Sequence, residues 1–326
     1  MRRLRSKDRW SASWALVGLG LLLALGGGCR RSAPEATVWE RSYRFLPVDT
    51  AVLLAVRVNA FADTEAFAQA ERRLLETPGV GPALRESGKT LREAVDWVFV
   101  AVSAEGISSE EIAPLGLVHT TLGEGFLGRA FQGSERPPRS VEVGAVRMWL
   151  MDQDGDRLAV AEVDQEFWAL GPETEVRRAA ERAQGHASSL RKESRLFQGV
   201  ESFPEEAAFW AVFDVTPSVP ATLNRAAPLS GIESVHHLVG SGTVDESGVL
   251  QIALDAYCQT PEDAQALEGS LRTLVGLAGL TPPENPAFQQ LLESLTLQAV
   301  GARLQVRFSV GARPVADSFR SLISGE

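Results

Sequence analysis

Any chemistry in this chain of 326 residues must come from a short roster, since it holds only four histidines and two cysteines. The run Ala83-Leu84-Arg85-Glu86-Ser87-Gly88-Lys89-Thr90 satisfies a relaxed phosphate-loop pattern. Such a loop works when a strand feeds a glycine-rich turn whose amides face phosphate at a helix start. Here Pro78-Gly79-Val80-Gly81-Pro82 precedes it, Ala83 replaces the first glycine, and Glu86 puts a carboxylate inside the cradle. The segment therefore reads as a surface helix and turn. Asp152, Asp154 and Asp156 suggest calcium, but an EF-type loop needs glycine at its sixth position and glutamate at its twelfth. Gly155 is fourth and Val163 twelfth, so a hairpin turn is expected. His236 and His237 are adjacent and would point to opposite faces of a strand, which keeps them from sharing one metal. With His119, His186 and Cys258 scattered elsewhere, no zinc site is expected. Cys258 lies on the apolar side of its strand pattern and reads as a buried, inert thiol. Gly240-Ser241-Gly242 fails as a nucleophile elbow because Val239 stands where the first glycine belongs. Those glycines read as places where another backbone or a helix approaches a sheet. Asp214, Asp245 and Asp255 have no partner that the sequence identifies. Trp97, Trp149, Trp168 and Trp210 fall in expected strands and read as core, with an apolar groove for lipid or peptide as the alternative. No catalytic residue, cofactor site or metal site is assigned, and a non-enzyme is expected.

The remaining reactive residue is Cys29, and its setting is distinctive. Arg2, Arg3, Arg5, Lys7 and Arg9 precede an uncharged run from Trp10 to Gly28 that ends in Gly26-Gly27-Gly28-Cys29. A charged head, an apolar middle and a small-residue end make a secretory signal peptide. The small residues before the cysteine resemble the lipobox of bacterial lipoproteins. In that family the cysteine thiol is diacylated and the leader is cut before it, so the resemblance implies lipidation of Cys29 at the mature amino terminus. The family prefers leucine three residues before the cysteine; Gly26 holds that place here, and Leu25 is the nearest leucine. The competing readings are an uncleaved anchor of roughly the twenty residues a span needs, and ordinary cleavage with release. Two acyl chains hold a protein on a membrane where one binds only marginally. Arg30 follows Cys29 where, in some bacteria, aspartate would favour inner-membrane retention. The expected location is the cell envelope, at an outer membrane facing the periplasm or the surface.

Without the leader's five basic residues and its one acid, Asp8, the body carries 27 basic and 41 acidic side chains, a net of −14. Such a body does not invite nucleic acid, which needs a basic footprint. Its length suffices for one large or two modest domains. With Cys29 lipidated, Cys258 has no disulfide partner, so stability must come from core burial.

Apolar periodicity supplies the framework. Residues 29–46 read as a tether on which Trp39, Tyr43 and Phe45 begin docking. Ala51 to Val56 reads as a buried strand, and Asp63 as the cap of a helix with Phe67, Ala70, Leu74 and Leu75 on one face. Val95–Val102 and Leu115–Leu122 read as strands, Arg136–Arg139 as a loop, and Val143–Met151 with Leu158–Val163 as a hairpin. Pro172 starts a helix. At Pro204 the pattern restarts: Pro204 to Val215 aligns without gaps on Pro47 to Val58. Strands at 236–244 and 249–258, a capped helix from Thr260, a helix from Asn285 and two closing strands follow, then a terminal helix over 312–323. Strand pairs joined by turns, with helices between, imply an α+β class. The expected fold is two similar halves, 47–202 and 203–326, with antiparallel sheets and helices mainly on one face of each.

Longer stretches resemble a family of uncharacterised exported bacterial proteins, a domain of unknown function. They are GTVDESGVLQIALDAYCQTPEDAQAL from Gly242, NPAFQQLLESLTLQAVGARLQVRFSV from Asn285, VDWVFVAVS from Val95, LGLVHTTL from Leu115 and ALGPETEVRRAAER from Ala169. The resemblance implies a tandem α+β body at the envelope and brings no catalytic residues. The expected function is a membrane-anchored lipoprotein acting as a binding or scaffold module for an unknown partner. The alternatives are a carrier of an apolar ligand between the two halves, and a hydrolase whose histidine, acid and serine only the fold assembles.

Overall fold

Period-two apolar patterning dominates the chain, and the strands it builds join a single sheet. A computed structural model describes residues 36–108, 113–134, 137–153, 156–197, 200, 207–215, 229–245, 249–280 and 286–311. The leader with Cys29, the start of the tether and the terminal helix expected over 312–323 lie outside these residues.

Helix α1 (Ala36–Tyr43) leads into β1 (Thr50–Arg57). Helices α2 (Glu65–Glu76), α3 (Val80–Glu86) and α4 (Leu91–Ala94) precede β2 (Val95–Ser103). Helix α5 (Ala104–Ser108), β3 (Leu115–Thr120) and α6 (Phe126–Gln132) follow. A meander comes next: β4 (Arg139–Val143), β5 (Val146–Gln153), β6 (Asp156–Glu162) and β7 (Phe167–Pro172). Helix α7 (Glu173–Ala183) and a 3-10 turn at Arg195–Phe197 lead to β8 (Phe209–Asp214). Strands β9 (His237–Val244) and β10 (Val249–Tyr257) pair, and α8 (Pro261–Leu280) and α9 (Pro286–Ser294) follow. Strands β11 (Thr296–Val300) and β12 (Arg303–Gly311) close the described chain.

All twelve strands lie in one antiparallel sheet, in the order β4-β5-β6-β7-β3-β2-β1-β8-β9-β10-β12-β11. This corrects the expected α+β class, which assigned a separate sheet to each half with helices on one face. The strands form one continuous sheet, and the helices are few, mostly short, and lie on both faces. The physical reason sits at β1 and β8. Both are apolar on both sides, with Leu53, Ala55, Trp210 and Val212 on one and Val56 and Phe209 on the other. Strands of that kind are poor edges and need a neighbour on each side. They take each other, from Val52 opposite Phe213 to Val56 opposite Phe209. Leu54 faces Ala211 in that ladder, and the two are also counterparts in the gapless alignment. Outward from this pair the order runs β2, β3, β7, β6 on one side and β9, β10, β12, β11 on the other.

On the face called the front here, Trp97, Phe99, Leu117, Phe167 and Trp210 are buried beneath Trp39 of α1 and Val176, Ala179 and Ala180 of α7. On the back, Val98, Val118, Trp149 and Val160 pack with Phe67 of α2, Leu84 of α3 and Phe126 of α6. Farther along the back, Ala264 and Leu267 of α8 seat on Ala256 and Leu304. Gly79 lets α3 approach α6: its φ is +83°, and a Cβ there would fall 1.9 Å from the Ala130 carbonyl oxygen.

Local rules explain two smaller departures. Thr64, not Asp63, caps α2, its hydroxyl accepting from the Phe67 amide. The strand expected from Val143 is instead two: β4 ends at Val143, a tight turn follows at Gly144 (φ +57°), and β5 begins at Val146. The β11 edge is shielded by α8. Ala299 N–H donates to Glu268 Oε2 at 2.9 Å, and Arg272 donates to the Leu297 carbonyl at 2.8 Å. Two outward backbone groups are thereby withdrawn from further strand pairing.

Candidate functional site

The phosphate-loop-like run is helix α3 followed by a turn, and Thr90 closes a reciprocal capping box with Glu93 over α4. Asp152 and Asp156 flank the β5–β6 hairpin, where Gln153 pairs with Asp156. Among the described residues no three histidine, cysteine or acidic side chains are grouped to hold a metal. Cys258 is buried beside Ala264 and Leu267, and burial pushes its thiol up. Gly240 and Gly242 have a different role from the one expected. Side chains of neighbouring strands, Leu254 and Phe209, lie over them. Trp97, Trp149, Trp168 and Trp210 all sit in strands; Trp97 and Trp210 are fully buried and Trp149 nearly so.

Two histidines meet acids. His119 on β3 is buried, with Nδ1 3.6 Å from Asp96 and Nε2 3.5 Å from an Arg41 nitrogen. The first distance is longer than a hydrogen bond. Arg41 also pairs with Glu166 and lies over the Phe167 ring. The groups around this imidazole are thus Asp96, Arg41 and the Phe167 ring, and Arg41 ties α1 to the sheet.

His237, on β9, stands in a row that the strand registers define. Asp214 pairs with His237, His237 with Tyr257, and Tyr257 with Arg303. Asp214 is held by Arg195 at 3.3 Å. His237 is 4% exposed, and its ring donates to the Phe213 carbonyl. Its Nε2 has no hydrogen-bond partner among the described residues, leaving Nδ1 as the donor. Burial is the main cause of its lowered pKa.

No protein family, curated protein or solved structure matches the chain.

In the adjacent row Asp255 stands opposite Gln305. Arg303 donates to Asp255 Oδ2 at 3.3 Å, and Arg307 to Oδ1 at 2.8 Å. Arg307 also donates to the Leu254 and Val306 carbonyls. The front of β9, β10 and β12 thus presents Ser241, Thr243, Gln251, Asp255, Tyr257, Arg303, Gln305, Arg307 and Ser309, all partly or well exposed. The apolar contacts that seat α8 use the back. A surface of hydroxyls, amides and paired charges on rigid strands can hold a partner by hydrogen bonds and charge.

Sequence reasoning found the strands but missed these pairings. The alternation Leu304, Val306, Phe308, Val310 against Arg303, Gln305, Arg307, Ser309 marks a polar face. Nothing in one sequence places Asp255 between Arg303 and Arg307, because that depends on the β10–β12 register.

Proposed function

We propose that this chain is a lipid-anchored envelope protein that holds a protein partner without transforming it. The holding surface in this reading is the open front of β9, β10 and β12. The observation that supports it most is the polarity of that surface, where half-exposed side chains are organised by ion pairs. The leader and Cys29 support the anchor.

The apolar-carrier reading puts its cargo between the halves. That junction is the β1–β8 ladder, and on its front Trp39 lies 4.5 Å from Trp97 and 4.3 Å from Trp210, ring to ring. Side chains already fill the space a cargo would need, so we rank this reading second.

Two measurements test the proposal. Mass spectrometry of the envelope fraction should find an acylated Cys29 at the mature amino terminus, and Cys29→Ser should release the protein from membranes. Intact Met1 would overturn the anchor. A photocrosslinking residue at Gln305 should capture an envelope protein in intact cells. The same probe at Arg147, exposed on β5, should not. Equal capture at both positions, or none at Gln305, would overturn the holding surface.

A further inference from the structure

The two arginines of β12 converge on one carboxylate. They stand four residues apart, with Gln305 between them, and Asp255 lies directly across from Gln305 on β10. Each guanidinium takes one oxygen of the same carboxylate. Two positive charges against one negative leave a single positive charge, on a body whose net charge is −14. The Arg303 and Arg307 side chains are 37% and 41% exposed, against 18% for Asp255. Asp255 therefore aims the pair from below and leaves their outer N–H groups facing solvent. A guanidinium has five donors in a fixed fork that matches carboxylate, and it is weakly hydrated.

Resting on the holding-surface reading above, we propose that this front binds an extended acidic segment of a protein, with Arg303 and Arg307 sharing an incoming carboxylate. Three arguments favour a peptide as the source of that carboxylate. Side chains on one face of β12 recur every second residue, at roughly 6.8 Å, which is the repeat of an extended chain lying on it. An anionic bilayer would offer charge to the whole body, which its net negative charge repels. A nucleic acid would need many cations, not one uncompensated pair.

The test uses the full chain in detergent and a labelled synthetic peptide alternating glutamate with serine, beside its glutamine counterpart. The glutamate peptide should bind about tenfold tighter or more, with the advantage shrinking in high salt. Arg303→Gln with Arg307→Gln should abolish the preference. Arg303→Lys with Arg307→Lys, which keeps the charge and loses the fork, should weaken it with the unfolding midpoint unchanged. Arg147→Gln should leave it intact. Equal binding of the two peptides, or a preference that survives the double glutamine variant, would overturn the proposal. So would inorganic phosphate displacing the peptide at concentrations where acetate does not, or vesicles of anionic phospholipid binding the protein through the same arginines. The two readings fail separately. If Gln305 crosslinks a partner in cells and the arginine variants leave the yield unchanged, the carboxylate chemistry is wrong and the holding surface stands. If the peptide preference holds while Gln305 captures nothing, the chemistry stands and the surface has no such partner.

Discussion

Two rows on the front of one sheet occupy matching positions and carry opposite chemistry. One runs Arg57, Trp97, His119, Phe167; the other runs Asp214, His237, Tyr257, Arg303. They match because Arg57 and Asp214 are counterparts in the sequence alignment and the strands then follow in the same order. The next rows match as well: Ala55, Phe99, Leu117, Ala169 against Val212, Val239, Asp255, Gln305. Apart from Arg57, which ends its row, the first set lies beneath α1 and α7 and is apolar except at His119, which Arg41 of α1 meets. The second set keeps its polar side chains and ion pairs. Backbone pairing is indifferent to this contrast, because ladder hydrogen bonds use no side chains. What the contrast records is cover: burial excludes unpaired polar groups, and an open face tolerates them.

The strongest way to break the comparison is to exchange residues across it. Leu117 is fully buried in the front core. Leu117→Asp places a carboxylate there without a partner, which should cost about 4 kcal/mol or more, a large part of a typical domain's stability. Asp255→Leu removes two ion pairs whose arginines can turn to water, and should cost about 1 kcal/mol or less. Urea unfolding followed by tryptophan fluorescence checks both. If Leu117→Asp keeps a near-wild-type midpoint, the two rows do not differ by burial.

A smaller effect sharpens the role of cover itself. Trp39 of α1 contacts Trp97, Phe99 and Trp210 with ring centroids 4.5, 5.5 and 4.3 Å away. Trp39→Ala should cost about 3 kcal/mol by opening that cluster. Gln305→Ala on the open side should stay within about 0.5 kcal/mol. The same unfolding assay reads both, and comparable losses would mean that the second front is covered as firmly as the first.

The sequence made part of this legible. Alternation in Leu304 to Val310 separated a polar from an apolar face, and the repeat at Pro204 marked β8 as the counterpart of β1. The hairpin at Asp152 to Asp156 was readable because turn residues interrupt two apolar runs. The joining of all strands into one sheet was not readable. It follows from β1 and β8 each lacking a polar side, and a buried central strand looks the same in sequence whether it ends one sheet or links two groups of strands. The fork on Asp255 was hidden for a related reason. Residues 255, 303 and 307 are far apart in the chain, and only the register of two strands brings them together.

The smallest expected effect belongs to His237, which occupies the place that Trp97 holds in the covered row. Burial is the main cause lowering its pKa; His236 and Arg195 lower it further, while Asp214 and the Phe213 carbonyl oppose the shift. The native imidazole therefore stays neutral below the ordinary value of 6.5. An unfolded chain gains its proton near that value, so acid favours unfolding through this group. Its contribution is complete above pH 6.5 and is lost as pH falls from there toward the lowered native pKa. The carboxyls of Glu93, Glu173 and Glu268 are held below their ordinary 4.5, so their own losses begin at lower pH and leave the His237 window clear. His237→Gln cannot take up a proton. Between about pH 7 and pH 5.5 the urea midpoint of the wild type should fall more than that of His237→Gln. Parallel slopes would mean that this imidazole reaches water as freely in the native protein as in the unfolded chain, and the row would then be open at His237 as well as at Arg303.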